Sequence, residues 1–253
     1  FEAMDKGAMH VHPEVWMPNQ QNLHDTYVQE KGSVVMNGNP VQAEQGMCVP
    51  TFIAEEHDIT HIDDLTDPEK MSIFDSDDDG TPEVWIGAPG WASTIVERVR
   101  ARSYGYDATT ELTEFDETLA YANLANAIEA GEPWIGFCYS PHYIFVMHDL
   151  TVLEEPAHDP ETWNIVQPTD DANWLEKSKA STAWKGATLH LHYAKELQES
   201  YPEVAALFEA YDMPAEALSA MGKALAVDGE DPATFARAWA AENEDLVLNW
   251  LTQ

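Results

Sequence analysis

The stretch Glu83-Val84-Trp85-Ile86-Gly87-Ala88-Pro89-Gly90-Trp91-Ala92-Ser93-Thr94 changes character in its middle. Residues 83–87 read as a short strand, Ala88-Pro89-Gly90 as a turn, and residues 91–102 as a helix. A strand that turns straight into a helix is a building unit of α/β proteins, and the alternation continues on both sides. Upstream, residues 9–16 alternate as a strand running into a loop at Pro18-Asn19. Residues 45–52 read as another strand, with Pro50 confining it to an edge or an end. Downstream, residues 116–130 carry Leu119, Ala122, Leu124, Ala125 and Ile128 as the apolar positions of a helix, stopped by Gly131-Glu132-Pro133. Residues 134–139 and 187–193 are strand-like. From Tyr201 the chain turns helical. Pro202 and Pro214 each begin a helix, and Asp231-Pro232 caps a last one expected to bury Phe235, Trp239, Leu246 and Trp250.

The 253 residues hold 12 Lys and Arg against 46 Asp and Glu, a formal net charge of −34. Phosphate binding needs clustered Lys and Arg, so nucleic acid is excluded as a partner and an anionic membrane surface is disfavoured. Hydrophobic residues make up 44%, too many for a disordered chain. No apolar run approaches the ~18 residues of a membrane span. Residues 1–7 read as the last turns of an amphipathic helix ending at Gly7, so a segment upstream is expected.

Asp75-Ser76-Asp77-Asp78-Asp79-Gly80 places three carboxylates at alternate positions before a glycine, as in the first half of a calcium loop. Ile86 stands where such a loop needs its bidentate Glu, leaving Glu83 to help. The expectation is a structural Ca2+ on Asp75, Asp77, Asp79 and Glu83, against a merely solvated acidic turn. Two His-x-His pairs, His10/His12 and His190/His192, each point to one face of a strand and open a second class of function, a metal-dependent hydrolase. Nothing else supports catalysis: there is no phosphate loop, no G-x-S-x-G and no HExxH, so no catalytic residue is assigned. Cys48 and Cys138 lie far apart, and the default is two buried free thiols. The aromatics say more. Trp16, Trp91, and Tyr139 with Tyr143 fall at strand ends or turns, where open α/β folds bind ligands, and such rings attract a cation that lacks N–H groups.

Four motifs occur in order: His12-Pro13-Glu14-Val15-Trp16-Met17-Pro18-Asn19, Gly46-Met47-Cys48-Val49-Pro50, Gly87-Ala88-Pro89-Gly90-Trp91 and Tyr139-Ser140-Pro141-His142-Tyr143. Together they resemble the substrate-binding proteins of glycine betaine-type ABC importers, over nearly the whole chain. The resemblance implies a two-lobed periplasmic binding protein of the second type, with the first lobe short of an amino-terminal segment. Its lobes would be residues 1–58 with 188–253, and 59–187. It implies an aromatic box of Trp16, Trp91 and Tyr139, with Tyr143 and His142 close by. Ala92 and Ser93 would offer backbone N–H groups to a ligand carboxylate, and Gln20 stands where family members carry a His. The implied role is non-enzymatic: a monomeric, periplasmic or membrane-associated extracytoplasmic receptor that delivers its ligand to a membrane permease. Glycine betaine and dimethylsulfoniopropionate fit best, with choline and trimethylamine N-oxide as alternatives. Relatives preferring the N-oxide carry a carboxylate where Cys48 stands here.

Overall fold

The strand, turn and helix read from residues 83–102 are present in the computed structural model, which describes residues 1–252. The strands are β1 (Val11–Met17), β2 (Val34–Met36), β3 (Val41–Pro50), β4 (Glu83–Trp85), β5 (Glu111–Thr113), β6 (Gly136–Ser140), β7 (Leu150–Val152), β8 (Trp163–Asn164), β9 (Lys179–Ala180) and β10 (Ala187–Ala194). The longer helices are α1 (Ala92–Tyr104), α2 (Glu117–Ala130), α3 (Pro202–Ala210), α4 (Ala215–Ala226), α5 (Pro232–Glu242) and α6 (Glu244–Leu251). Two compact units emerge. The first is Phe1–Glu44, Pro141–Val146 and Gly186–Gln253; the second is Gln45–Ser140 and Met147–Lys185. The sequence expected divisions after residue 58 and before residue 188. Residues 141–146, which carry His142 and Tyr143, fall in the first unit.

In the first unit β10 is the central strand. It pairs antiparallel with β1 (His12 opposite His192, Trp16 opposite Leu189), with β2 and with the start of β3. The β1 register shifts between His12 and Val15, around Pro13, whose missing N–H cannot join the ladder. Val41, Ala43, Ala187, Leu189, Ala210, Met213 and Trp250 form a core between this sheet and the C-terminal helices. The single last helix expected from the sequence is two helices, parted at Asn243. The Asn243 carboxamide donates to the Trp239 carbonyl at 2.9 Å, satisfying the broken end. Trp250 is buried and Trp239 stacks on it at 6.2 Å; Phe235 is only half-buried.

In the second unit β4 runs parallel to β5 and β6, and the rest of β3 pairs antiparallel with β7. The strand expected at residues 45–52 ends at Pro50, because Thr51 and Phe52 already open a helix, Thr51–His57. Helix α2 is capped as the sequence implies, by the Asp116 carboxylate on the Thr118 N–H and by Gly131 at φ 72°. Its buried face is not the expected one. Ala120, Tyr121, Leu124 and Ala127 face inward, while Leu119 is 53% exposed. Tyr121 sets that rotation: its ring packs edge-on against Trp85 at 5.4 Å and its hydroxyl donates to the Phe137 carbonyl. Cys48 and Cys138 are buried as expected, but joined in a disulfide across β3 and β6, which corrects the free-thiol expectation.

Candidate functional site

The turn before α1 is built so that Trp91 stands at its mouth. Gly87 and Gly90 take φ of +124° and +89°, conformations that side chains resist. A Cβ on Gly87 would sit 2.4 Å from Thr94 Oγ1, which itself donates to the Ala88 carbonyl at 2.8 Å and pulls the helix start onto the turn. Trp91 is the N-cap of α1 and makes no side-chain cap bond. The first-turn N–H groups, including those of Ala92 and Ser93, therefore lack the usual side-chain acceptor and form a positive pole suited to an anion. Ser93 is buried and Trp91 half-buried.

Tyr139, near the end of β6, meets Trp91 edge-on with ring centroids 5.9 Å apart and planes at 79°. Its hydroxyl donates to a Glu117 carboxylate oxygen at the start of α2. The second unit thus presents two nearly perpendicular rings beside an uncapped helix end, with a carboxylate bound at the hydroxyl edge of one ring. Glu117 was not foreseen, since 22 residues separate it from its partner and nothing local marks it.

In the first unit Trp16 leaves β1 half-buried against the core of that unit. Its indole N–H donates to Glu14 Oε1 at 3.0 Å. That partner was legible, since residues two apart in a strand share a face. Gln20 is the N-cap of a short helix, Gln21–His24, and its N–H donates to the Trp16 carbonyl at 3.0 Å. The rings of His142 and Tyr143 pack tilted by 36° with centroids 4.3 Å apart, and burial lowers the His142 pKa to about 4, so the imidazole is neutral at pH 7. Tyr143 lies against Gly222 of α4.

Of the acidic turn, Asp75, Asp77 and Glu83 bring carboxylate oxygens within 4.8 Å of one another; Asp79 is not in this group. Asp79 instead accepts the Thr81 N–H at 2.8 Å. Asp75 accepts from Asp79 and Gly80, and Glu83 from Ser76. The loop closes on its own backbone donors. Among the described residues no group of three metal-ligating side chains at such spacing contains a histidine. His190 is held by the Asn37 carbonyl and Thr188 Oγ1, and His192 is buried against His24. His12, His190 and His192 are strand residues of the sheet, whereas His10 lies exposed just before β1, its Nε2 3.7 Å from Glu196 Oε1, so the His10/His12 pair does not share a strand face as expected.

Residues 1–242 match the family described as the substrate-binding domain of ABC-type glycine betaine transport systems. The glycine betaine/proline betaine-binding periplasmic protein of Salmonella typhimurium is 24% identical over 210 residues, 78% of this chain and 60% of that protein. Its Escherichia coli counterpart is 22% identical over 246 residues, 94% of this chain and 72% of that protein. The chain thus spans about 60% of the length of the Salmonella relative. An ABC-transporter choline-binding protein in complex with choline superposes with a TM-score of 0.73 at 18% identity, over 100% of this chain and 78% of that one. Lactococcal OpuAC, closed on glycine betaine, gives 0.71 at 18% identity, over 99% and 83%. These likenesses place the fold among α/β substrate-binding proteins. No helix among the described residues is long and apolar enough to cross a membrane.

Proposed function

The chain belongs to the family of substrate-binding domains of ABC-type glycine betaine transport systems, and from that premise we propose that it is a receptor for a small methylated zwitterion. The observation that carries this reading is the perpendicular Trp91–Tyr139 pair beside the uncapped start of α1. A quaternary ammonium offers no hydrogen-bond donor, so only ring faces and shape select it, each ring contributing roughly 0.5–2 kcal/mol. A carboxylate on the same ligand suits the N–H groups of Ala92 and Ser93. The proposed contacts in the second unit are Trp91 and Tyr139; in the first unit the candidates that the family resemblance supplies are Trp16 and Tyr143, with Gln20 and His142 as polar neighbours. Glycine betaine fits both halves of the chemistry, dimethylsulfoniopropionate nearly as well, and choline or trimethylamine N-oxide less, because neither carries the carboxylate. Solute-binding domains of this family are not enzymes; this one acts outside the cytoplasmic membrane, as a monomer handing its ligand to a permease.

Calorimetry with glycine betaine, dimethylsulfoniopropionate, choline, trimethylamine N-oxide and free proline tests the reading. Glycine betaine should bind at one per chain and Trp91→Ala should weaken it about a hundredfold or more. Trp163→Ala, whose ring lies 5.9 Å from the Arg100 guanidinium, should lower stability and spare affinity. Tight proline binding with no methylated ligand bound would end the proposal.

A further inference from the structure

A second aromatic-walled pocket, of about 520 Å³, lies wholly within the second unit. Trp85 is its back wall, with Phe115 at 6.1 Å and Trp134 at 6.4 Å between ring centroids. Trp85 also touches Trp91 edge-on at 5.9 Å, yet Trp91 does not line this pocket. The Trp85 N–H donates to the Phe115 carbonyl, so the indole is fixed, and at 2% exposure it is a buried part of the wall that leaves the half-buried Phe115 and Trp134 as the accessible rings. Trp134 lies directly over the backbone of β6, because a Cβ on Gly136 would come 2.5 Å from its ring. Glu83 and Glu132 line the opening, and no Lys, Arg or His lines any part of it. The C-terminal turn of α2, through Ala127 and Ala130, presents the negative end of that helix to the same space.

Ring faces, two carboxylates and a helix C-terminus all favour positive charge, and no cationic side chain lines the pocket. Ser76, Thr113, Asn123 and Asn126 add neutral polar groups to the lining, but its only anionic side chains are Glu83 and Glu132, and the aromatic walls give a hard metal ion no ligand. We propose that this pocket binds a small alkylammonium cation, at a site separate from the Trp91–Tyr139 pair. The ring faces hold the alkyl groups while Glu83 and Glu132 hold the charge. The proposal does not depend on what binds at Trp91.

The test is calorimetry of tetramethylammonium with the full chain in two backgrounds. One is wild type saturated with glycine betaine; the other is Trp16→Ala, a change in the other unit that leaves the Trp85 cluster intact. Both should retain one tetramethylammonium site per chain. Trp134→Ala should weaken that site at least about tenfold. Glu132→Gln, at an exposed position, should weaken it about threefold or more at low salt, and it decides the matter alone if Trp134→Ala fails to fold. Neopentyl alcohol, the uncharged analogue, should not bind. The idea is overturned by no site in either background, by neopentyl alcohol binding equally, or by a site indifferent to both substitutions. If glycine betaine itself fails to bind, the receptor reading falls while the Trp16→Ala arm still decides this one.

Discussion

At the scale of single residues, the Tyr139 hydroxyl and the Glu117 carboxylate act as a pair. The bond holds the phenol ring beside Trp91, and it sets a negative charge at the hydroxyl edge of that ring. Tyr139→Phe keeps the ring and loses the bond, so glycine betaine affinity should fall about threefold to tenfold, the size of one ordinary hydrogen bond. Tyr139→Ala should cost more. Equal effects of Phe and Ala would mean that the ring face contributes nothing. His192 supplies a second residue-level prediction. Burial, first of all, lowers its pKa to about 4, with His24 Nδ1 3.5 Å from its own Nε2. The unfolded chain, with an ordinary imidazole near pH 6.5, binds this proton more readily than the folded one. Its contribution is therefore full above pH 6.5 and is lost as pH falls toward 4. Thermal melts at pH 7 and pH 5 should show a smaller drop in Tm for His192→Gln than for wild type. An unchanged drop would mean that His192 is not charged on unfolding.

At the scale of elements, α1 carries the Trp91 mouth, and its far half is anchored by charge. Arg100 is fully buried, paired with Glu97 at 2.9 Å and with Glu155, and ringed by Tyr104, Trp163 and Trp184. Two carboxylates face one guanidinium, and burial raises the Glu97 pKa even against Arg100. Arg100→Met would strand both carboxylates and should remove about 3–5 kcal/mol of stability at pH 7. Glu97→Gln, which relieves the excess charge and keeps an acceptor for the Trp184 N–H, should cost much less. Denaturant melts compare them, and equal losses would refute the excess-charge account. The acidic turn makes the opposite case. Its carboxylates already accept backbone N–H groups, so chelator should leave Tm unchanged; a rise with calcium that Asp75→Asn removes would show a bound ion after all. Elements were legible where local chemistry decides them: Gly87 and Gly90 at the turn, Asp116 and Gly131 capping α2, Pro202 starting α3. They were not legible where partners distant in sequence decide them. Tyr121 turned α2 toward Trp85, β2 and β7 exist only as pairing partners, and the Cys48–Cys138 bond joins strands 90 residues apart. The candidate residues of each unit divide the same way. Trp16, Trp91 and Tyr139 stand at turns and strand ends that a sequence marks, whereas Glu117 and the Trp85 cluster are assembled by folding.

Across the whole molecule, 46 acidic and 12 basic side chains mean that at most 12 carboxylates can find a cation of their own. One of those cations, Arg100, is spent inside the second unit. Folding crowds the remaining like charges together, so their repulsion falls more on the folded than on the extended chain. Screening acts on this term directly, since the Debye length shrinks from about 10 Å at 0.1 M salt to about 3 Å at 1 M. Sodium chloride should therefore raise Tm by several degrees between low salt and about 1 M, a shift of the order that ~1–2 kcal/mol produces in a chain this long. The same field acts on ligands according to their net charge. Glycine betaine has none, so its affinity should change little over that range. Tetramethylammonium carries a full positive charge, and its binding should weaken steadily with salt. The two titrations separate a local preference for methylated nitrogen from a general pull on cations. A flat or falling Tm in sodium chloride would show that the acidic surface is no burden on the fold, and a glycine betaine affinity as salt-sensitive as that of tetramethylammonium would show that charge, not the rings, selects the ligand.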